Sequence, residues 1–189
     1  MAGNDTTMSP APASVTSTTS QFIPAPLRPS HIHHPTRSVF LAGSTSSSLP
    51  GPSSDWRASL ASSLANYQVT IFDPARPDWD ASWRESADFA PWKEQVQWEL
   101  DMQEAAAAVV VWFARDTKAP VSLLELGLVA RQRAAGDGEG ARRSKAVVVC
   151  EEGFWKEGNV RMVCERFGVE VVDGVGELVG CLKERFGLV

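Results

Sequence analysis

Apolar and polar positions along the chain alternate between two rhythms. Short apolar runs recur: "SVFLAG" (38–43), "QVTIFDP" (68–74), the fully apolar "AAVVVWFA" (107–114), "KAVVVCE" (145–151) and "VEVVD" (169–173). Runs of this length, rich in β-branched residues and bounded by glycine, proline or charge, predict buried strands. Between them lie segments of helical character: "SDWRASLASSLAN" (54–66), "APWKEQVQWELDMQEA" (90–105), "PVSLLELGLVARQRAA" (120–135), "GNVRMVCERFG" (158–168) and "GELVGCLKERFG" (176–187). Ser54 or Asp55 is placed to cap the first of these, and Pro120 suits the first turn of the third. Strand and helix in strict alternation imply an α/β fold, a five-stranded parallel sheet covered by helices on both faces with right-handed crossovers. In such sheets ligands bind beyond the carboxyl ends of the strands, where the strand order reverses. The segments to search for chemistry are therefore "GSTSSSLPGPSS", "DPARPDWDASWRES", "ARDTKAPVSLLE" and "EEGFWKEGN".

Composition divides the chain in two. Residues 1–36 are rich in Ser, Thr, Pro and Ala and poor in large apolar residues, which predicts a disordered tail ahead of one domain over 37–189. His31, His33 and His34 fall in that tail with no acid or cysteine close by in sequence, so no metal site is expected. Nothing in the sequence asks for a cofactor. The net charge of -5 argues against a nucleic-acid partner, which would call for a basic stripe. No run is long and apolar enough for a membrane span, and no secretory signal is evident, so a cytoplasmic location is expected. The three cysteines, Cys150, Cys164 and Cys181, lack metal-ligand spacing and read as buried thiols.

The charges inside the apolar segments are the candidate chemistry. Glu125 sits among leucines in "VSLLELG". Ser122-x-x-Glu125 fits a capping box, in which the glutamate only closes a helix end. Alternatively, a first-turn carboxylate at a strand exit, kept ionised by the helix dipole, is a poised nucleophile. Glu99 shares a helix face with Trp92 and Val96, as a solvated flank residue or as a second acid. Gly43 and Ser44 open a hydroxyl-rich loop that could take an anion or a sugar, though it is neither a P-loop nor a dinucleotide fingerprint. Asp78 and Trp79 belong to a long loop of mixed aromatics and charges. It reads either as a lid over a flat ligand or as a loop pinned to the core.

Taken together, "SVFLAGS", "DPARPDWDASW", "EQVQWELDMQEAAAAVVVWF", "PVSLLELGLVA" and "GFWKEGNV" resemble, in the same order, the nucleoside 2-deoxyribosyltransferase-like family over roughly residues 38–170. The resemblance implies a flavodoxin-like fold and cleavage or transfer at the N-glycosidic bond of (2'-deoxy)nucleosides. It makes Glu125 the nucleophile and Glu99 the second catalytic acid, with Glu where other members carry Asp. It assigns Phe40 (a tyrosine elsewhere in the family), Gly43, Ser44, Asp116 and Asn159 to substrate binding, and it implies a homo-oligomer. Two other readings fit: a hydrolase of (deoxy)nucleoside 5'-monophosphates, with Arg57 and Arg76 as candidate phosphate ligands, and an inactive nucleotide-binding sensor.

Overall fold

The computed structural model describes residues 19–44, 55–134 and 143–189. Six strands form one sheet: β1 (Gln21–Pro24), β2 (Ser38–Gly43), β3 (Thr70–Asp73), β4 (Ala108–Phe113), β5 (Ala146–Cys150) and β6 (Glu170–Val172). The helices are α1 (Trp56–Leu64), α2 (Ala90–Ala105), α3 (Pro120–Val129), α4 (Glu157–Phe167) and α5 (Gly174–Phe186). Every strand pairing is parallel and the order is β1-β3-β2-β4-β5-β6. Apart from the edge strand β1, this is the flavodoxin-like order.

Period-two alternation sorts the strands' side chains into two cores. Phe40, Ala42, Phe72, Val109, Val111, Phe113 and Val148 pack beneath α2, α3 and α4, through Trp98, Met102, Leu126, Val129, Val160 and Cys164. Val39, Leu41, Ile71, Val110, Trp112, Val147 and Val149 pack beneath α1 and α5, through Trp56, Leu60, Leu64, Leu178 and Leu182. All three cysteines are free and buried.

One strand more than the expected five is present, and it arises within the segment read as a disordered tail. Gln21–Pro24 lies along β3 in parallel register, Gln21 opposite Thr70 and Pro24 opposite Asp73. Ile23 is buried in the core, and the Gln21 side chain accepts from His33 N at 2.8 Å and from Thr70 Oγ1 at 3.1 Å. Leu27 O accepts the Trp98 indole N–H at 2.8 Å, so the same segment also ties to α2. Tertiary pairing thus orders a stretch whose own composition would leave it unstructured.

The reversal of strand order falls between β2 and β4. Gly43 closes β2 there with φ +123°, and a Cβ at this position would run into the backbone of Trp112 in β4. The close approach of the two strand ends therefore needs glycine.

Candidate functional site

Ser44, next in the chain, locks the two exits together. Its N–H donates to Trp112 O at 2.8 Å, its Oγ lies 2.7 Å from Thr117 Oγ1, and it accepts from Ala114 N at 3.2 Å. The first turn of α1 closes over the same point from the other face of the sheet. Trp56 Nε1 donates to Ser44 O at 3.2 Å, and its ring stacks on Trp112 at 5.0 Å. The Arg57 guanidinium donates to Leu41 O, Gly43 O and Ser44 O, and its Nε lies 3.5 Å from Asp73 Oδ1. Arg57 is thus a buried cation spent on the carbonyl ends of β2 and on one carboxylate. The remainder of the serine-rich loop, 45–54, lies outside the described residues.

On the opposite face, α2 and α3 bring two carboxylates together. Gln95, Trp98, Met102 and Gln103 are the buried residues of α2. Glu99 shares their stripe, since i, i+4 and i+8 coincide on a helix, and is half-buried between the two glutamines. The face shared with Trp92 and Val96 is a neighbouring, half-buried one. Gln95 Nε2 donates to Glu99 Oε1 and to Pro74 O, each at 2.9 Å. Across the groove, Gln103 Nε2 donates to Glu125 Oε1 at 2.7 Å.

Glu125 does not cap its helix. The chain enters α3 through Ala119 in the left-handed region (φ 42°), Pro120 opens the first turn, and no acidic residue lies in that turn. Glu125 belongs to the second turn, where the dipole has faded. It is 8 % exposed. Burial and the neighbouring Glu99 push its carboxyl up to about 8, against the pull of Arg57 and the bond from Gln103. Burial likewise raises Glu99, opposed by Gln95 and Arg57. In place of the dipole-stabilised anion expected from sequence, Glu125 is a buried carboxyl whose charged form is disfavoured by burial and by the nearby Glu99.

The other candidate residues divide. Gly43 and Ser44 join the β2 exit to β4 and its following connection, while Glu99 and Glu125 lie on α2 and α3 with Gln95 and Gln103 as their donors. Phe40 is fully buried, with its ring against Trp98 at 6.2 Å. Asp116 is exposed in the β4–α3 connection, directly before Thr117. Asn159 is exposed near the start of α4. Asp78 pairs with Arg76 at 2.8 Å, and Arg76 also holds Glu94 of α2 at 3.0 Å beneath the Trp83 ring. Trp79 lies against Trp83 and Trp92 and stays 48 % exposed. Arg76 and Trp83 therefore pin this loop to α2, while Trp79 remains presented at its edge. Sequence reasoning passed over Gln95, Gln103 and Thr117, and read Arg57 as a phosphate ligand. The i±4 spacing of the glutamines from Glu99 was the available signal for two of them.

A cavity of about 450 Å³ opens beside this centre, lined by Phe22, Trp56, Arg57 and Asp73 among others. A second, of about 650 Å³, lies over the exits of β4, β5 and β6, between Arg115, Glu151, Arg161 and Asp173. Neither of these two cavities is lined by Glu99 or Glu125. Among the described residues no group of three or more His, Cys, Asp or Glu side chains could hold a metal ion, and no helix is long and apolar enough to cross a membrane.

A sequence model of the family described as nucleoside 2-deoxyribosyltransferase like matches residues 36–136, more than half of the chain. The match spans β2 through α3 and so includes every residue of the paired-carboxylate centre. The chain belongs to that family, and membership carries the general kind of function, the processing of nucleosides. No curated protein matches the chain.

Proposed function

We propose that the protein breaks or transfers the N-glycosidic bond of (2'-deoxy)nucleosides, with Glu125 as nucleophile and Glu99 as proton carrier. The observation that supports this reading is the desolvated Glu99–Glu125 pair on α2 and α3, within the segment matched by a nucleoside-processing family. Two carboxylates are what the reaction needs, because its transition state resembles an oxocarbenium ion and its leaving group must be protonated. Repulsion between the two carboxylates disfavours ionising both at once. The reactive form is the one with the proton on Glu99 and Glu125 ionised, a minority arrangement below about pH 8 because Glu125 holds its proton up to there; in that form Glu125 attacks C1' through Oε2. The C1'–N bond breaks, its electron pair goes to the base, and the base takes the proton from Glu99. Free base and a glycosyl ester result. A second base or a water then attacks C1', the ester breaks, and Glu99 recovers a proton from the incoming group.

On this reading Gly43 and Ser44 are assigned to the sugar, and Trp79, Asp78, Asp116 and Asn159 to the base or the rim of the site. An unphosphorylated substrate is favoured over a 5'-monophosphate, because Arg57 is occupied by backbone carbonyls and Asp73 and Arg76 by Asp78 and Glu94. A homo-oligomer is supported by α3, which leaves Val121, Leu124 and Leu128 exposed along one side.

The test is a chromatographic screen of deoxynucleosides, ribonucleosides and their 5'-monophosphates, with and without a second free base, alongside Glu125→Gln. Base exchange lost in the variant identifies a transferase, and acceptor-independent base release lost in the variant identifies a hydrolase. No turnover on any of them, with the variant indistinguishable from wild type, would overturn the proposal in favour of a binding module.

A further inference from the structure

Gln103 is fixed at both ends. Its backbone carbonyl accepts from the buried Lys145 Nζ at 2.6 Å, and Lys145 also donates to Glu104 O at 3.0 Å, closing the C-terminal turn of α2. Its side chain is buried and gives its amide to Glu125 Oε1 at 2.7 Å. Glu99, one turn earlier, has a glutamine donor of its own in Gln95, whose amide is divided between Glu99 and Pro74 O. Each carboxylate therefore has a separate neutral donor rather than a hydrogen bond to a cation.

From this arrangement we infer that Gln103 is the positioning residue of the site, holding Oε1 of Glu125 so that Oε2 is the oxygen presented to the substrate. The inference rests on the assignment of Glu125 as nucleophile. A neutral donor suits the task. An arginine or lysine in this place would form a tight ion pair and reduce the carboxylate's nucleophilicity, whereas a neutral amide orients the anion and stabilises it modestly. A hydrogen bond to the charged form favours ionisation, so Gln103 also opposes the rise that burial and Glu99 impose. The charged groups bearing on Glu125 are Glu99 from α2 and Arg57 from α1, the latter tied to Asp73 of β3. Gln103 adds direction without adding charge.

Two near-isosteric variants test this. Gln103→Met keeps the volume and removes the donor; Gln103→Glu keeps the shape and replaces the amide with a third carboxyl. The first readout needs no turnover: titration of the Glu125 carboxyl by carbon NMR of protein labelled at glutamate Cδ, its signal identified by its loss in Glu125→Gln. Removal of a donor to a charged group should move the Glu125 midpoint upward by about one pH unit or more in Gln103→Met. Gln103→Glu should move it further. The second readout is kinetic: kcat falls by about tenfold or more in Gln103→Met with KM little changed, and the acidic limb of the pH–rate profile shifts upward. An unmoved Glu125 midpoint, or a lowered melting temperature with kcat and the profile unchanged, would reduce Gln103 to a packing residue and overturn the inference. Absence of turnover in the wild type would count against the proposed function alone, since the titration still decides the role of Gln103.

Discussion

The hydroxyl oxygens of Ser44 and Thr117 lie 2.7 Å apart, joining the exit of β2 to the connection that leads from β4 into α3. The same Ser44 Oγ accepts from Ala114 N, whose residue is fully buried. Ser44→Ala leaves that N–H without its partner, at a cost of about 1–3 kcal/mol. Denaturant unfolding measures the loss, and a change below about 0.5 kcal/mol would show that the two exits are held by something else.

Gly43→Ala is expected to be far more damaging. The substitution meets the Trp112 backbone and adopts a φ that L residues rarely take, and neither can relax without parting β2 from β4. A destabilisation of about 3 kcal/mol or more follows, readable as a large drop in melting temperature or as loss of soluble protein. A variant that melts within a degree or two of wild type would contradict the close approach described here.

Glu125 yields a prediction on activity and one on stability. As nucleophile, its replacement by glutamine should lower kcat by about a thousandfold or more. The folded chain holds the Glu125 proton up to about pH 8, whereas an ordinary glutamate loses it near 4.5. Between those values the folded state binds more protons than the unfolded state, so stability from this group is complete below pH 4.5 and declines as the pH rises toward 8. Glu125→Gln removes the decline. It should melt close to wild type at pH 4.5 and several degrees above it at pH 9, the difference bounded by ~5 kcal/mol. Melting curves that run parallel across this range would mean that Glu125 titrates normally.

Arg57 separates structure from catalysis at the same centre. Arg57→Met removes a donor from the carbonyls of Leu41, Gly43 and Ser44, the last still held by Trp56 Nε1, and leaves Asp73 without its cation. The expected destabilisation is about 3–5 kcal/mol, measured by denaturant unfolding at neutral pH. Retention of full stability would show that the guanidinium serves a ligand and not the strand end.

Trp79→Ala asks whether the presented ring meets substrate. Half-exposed at the rim of a pinned loop, the ring should matter little to folding, within about 1 kcal/mol. If it stacks on the base, KM rises by roughly three- to tenfold with kcat nearly unchanged. An unaltered KM would leave the aromatic edge as packing for Trp83 and Trp92.

Strand and helix alternation was legible because buried parallel strands read as unbroken apolar runs, and "AVVVWF" and "AVVVC" are central strands here. Glu99 and Glu125 were legible as charges in places where charge is costly. Other features depend on what the chain meets far away in sequence. β1 is four residues long, ends in proline and buries one side chain fully, so only its pairing with β3 makes it a strand. The capping box at Ser122 and Glu125 matched in spacing, but the helix starts at Pro120, and the glutamate found Gln103 across the groove. Arg57 resembled a free cation near a loop; its consumption by β2 carbonyls depends on how α1 crosses the strand end. Phe40, expected at the ligand from the resemblance, lies in the core against Trp98, a packing that its sequence position alone does not show.

The edge strand also bears on where the cooperative unit begins. The family match starts at residue 36, past β1 and past Leu27. A chain trimmed to that point would uncover the outer rim of β3 along Thr70–Asp73, vacate the place filled by Ile23 and deprive the Trp98 indole of its acceptor. A bare parallel rim with unspent N–H and C=O groups is an invitation to intermolecular strand addition. The segment ahead of the family-matched residues thus covers the rim of its own sheet, and solubility, more than activity, is the property its removal is expected to forfeit.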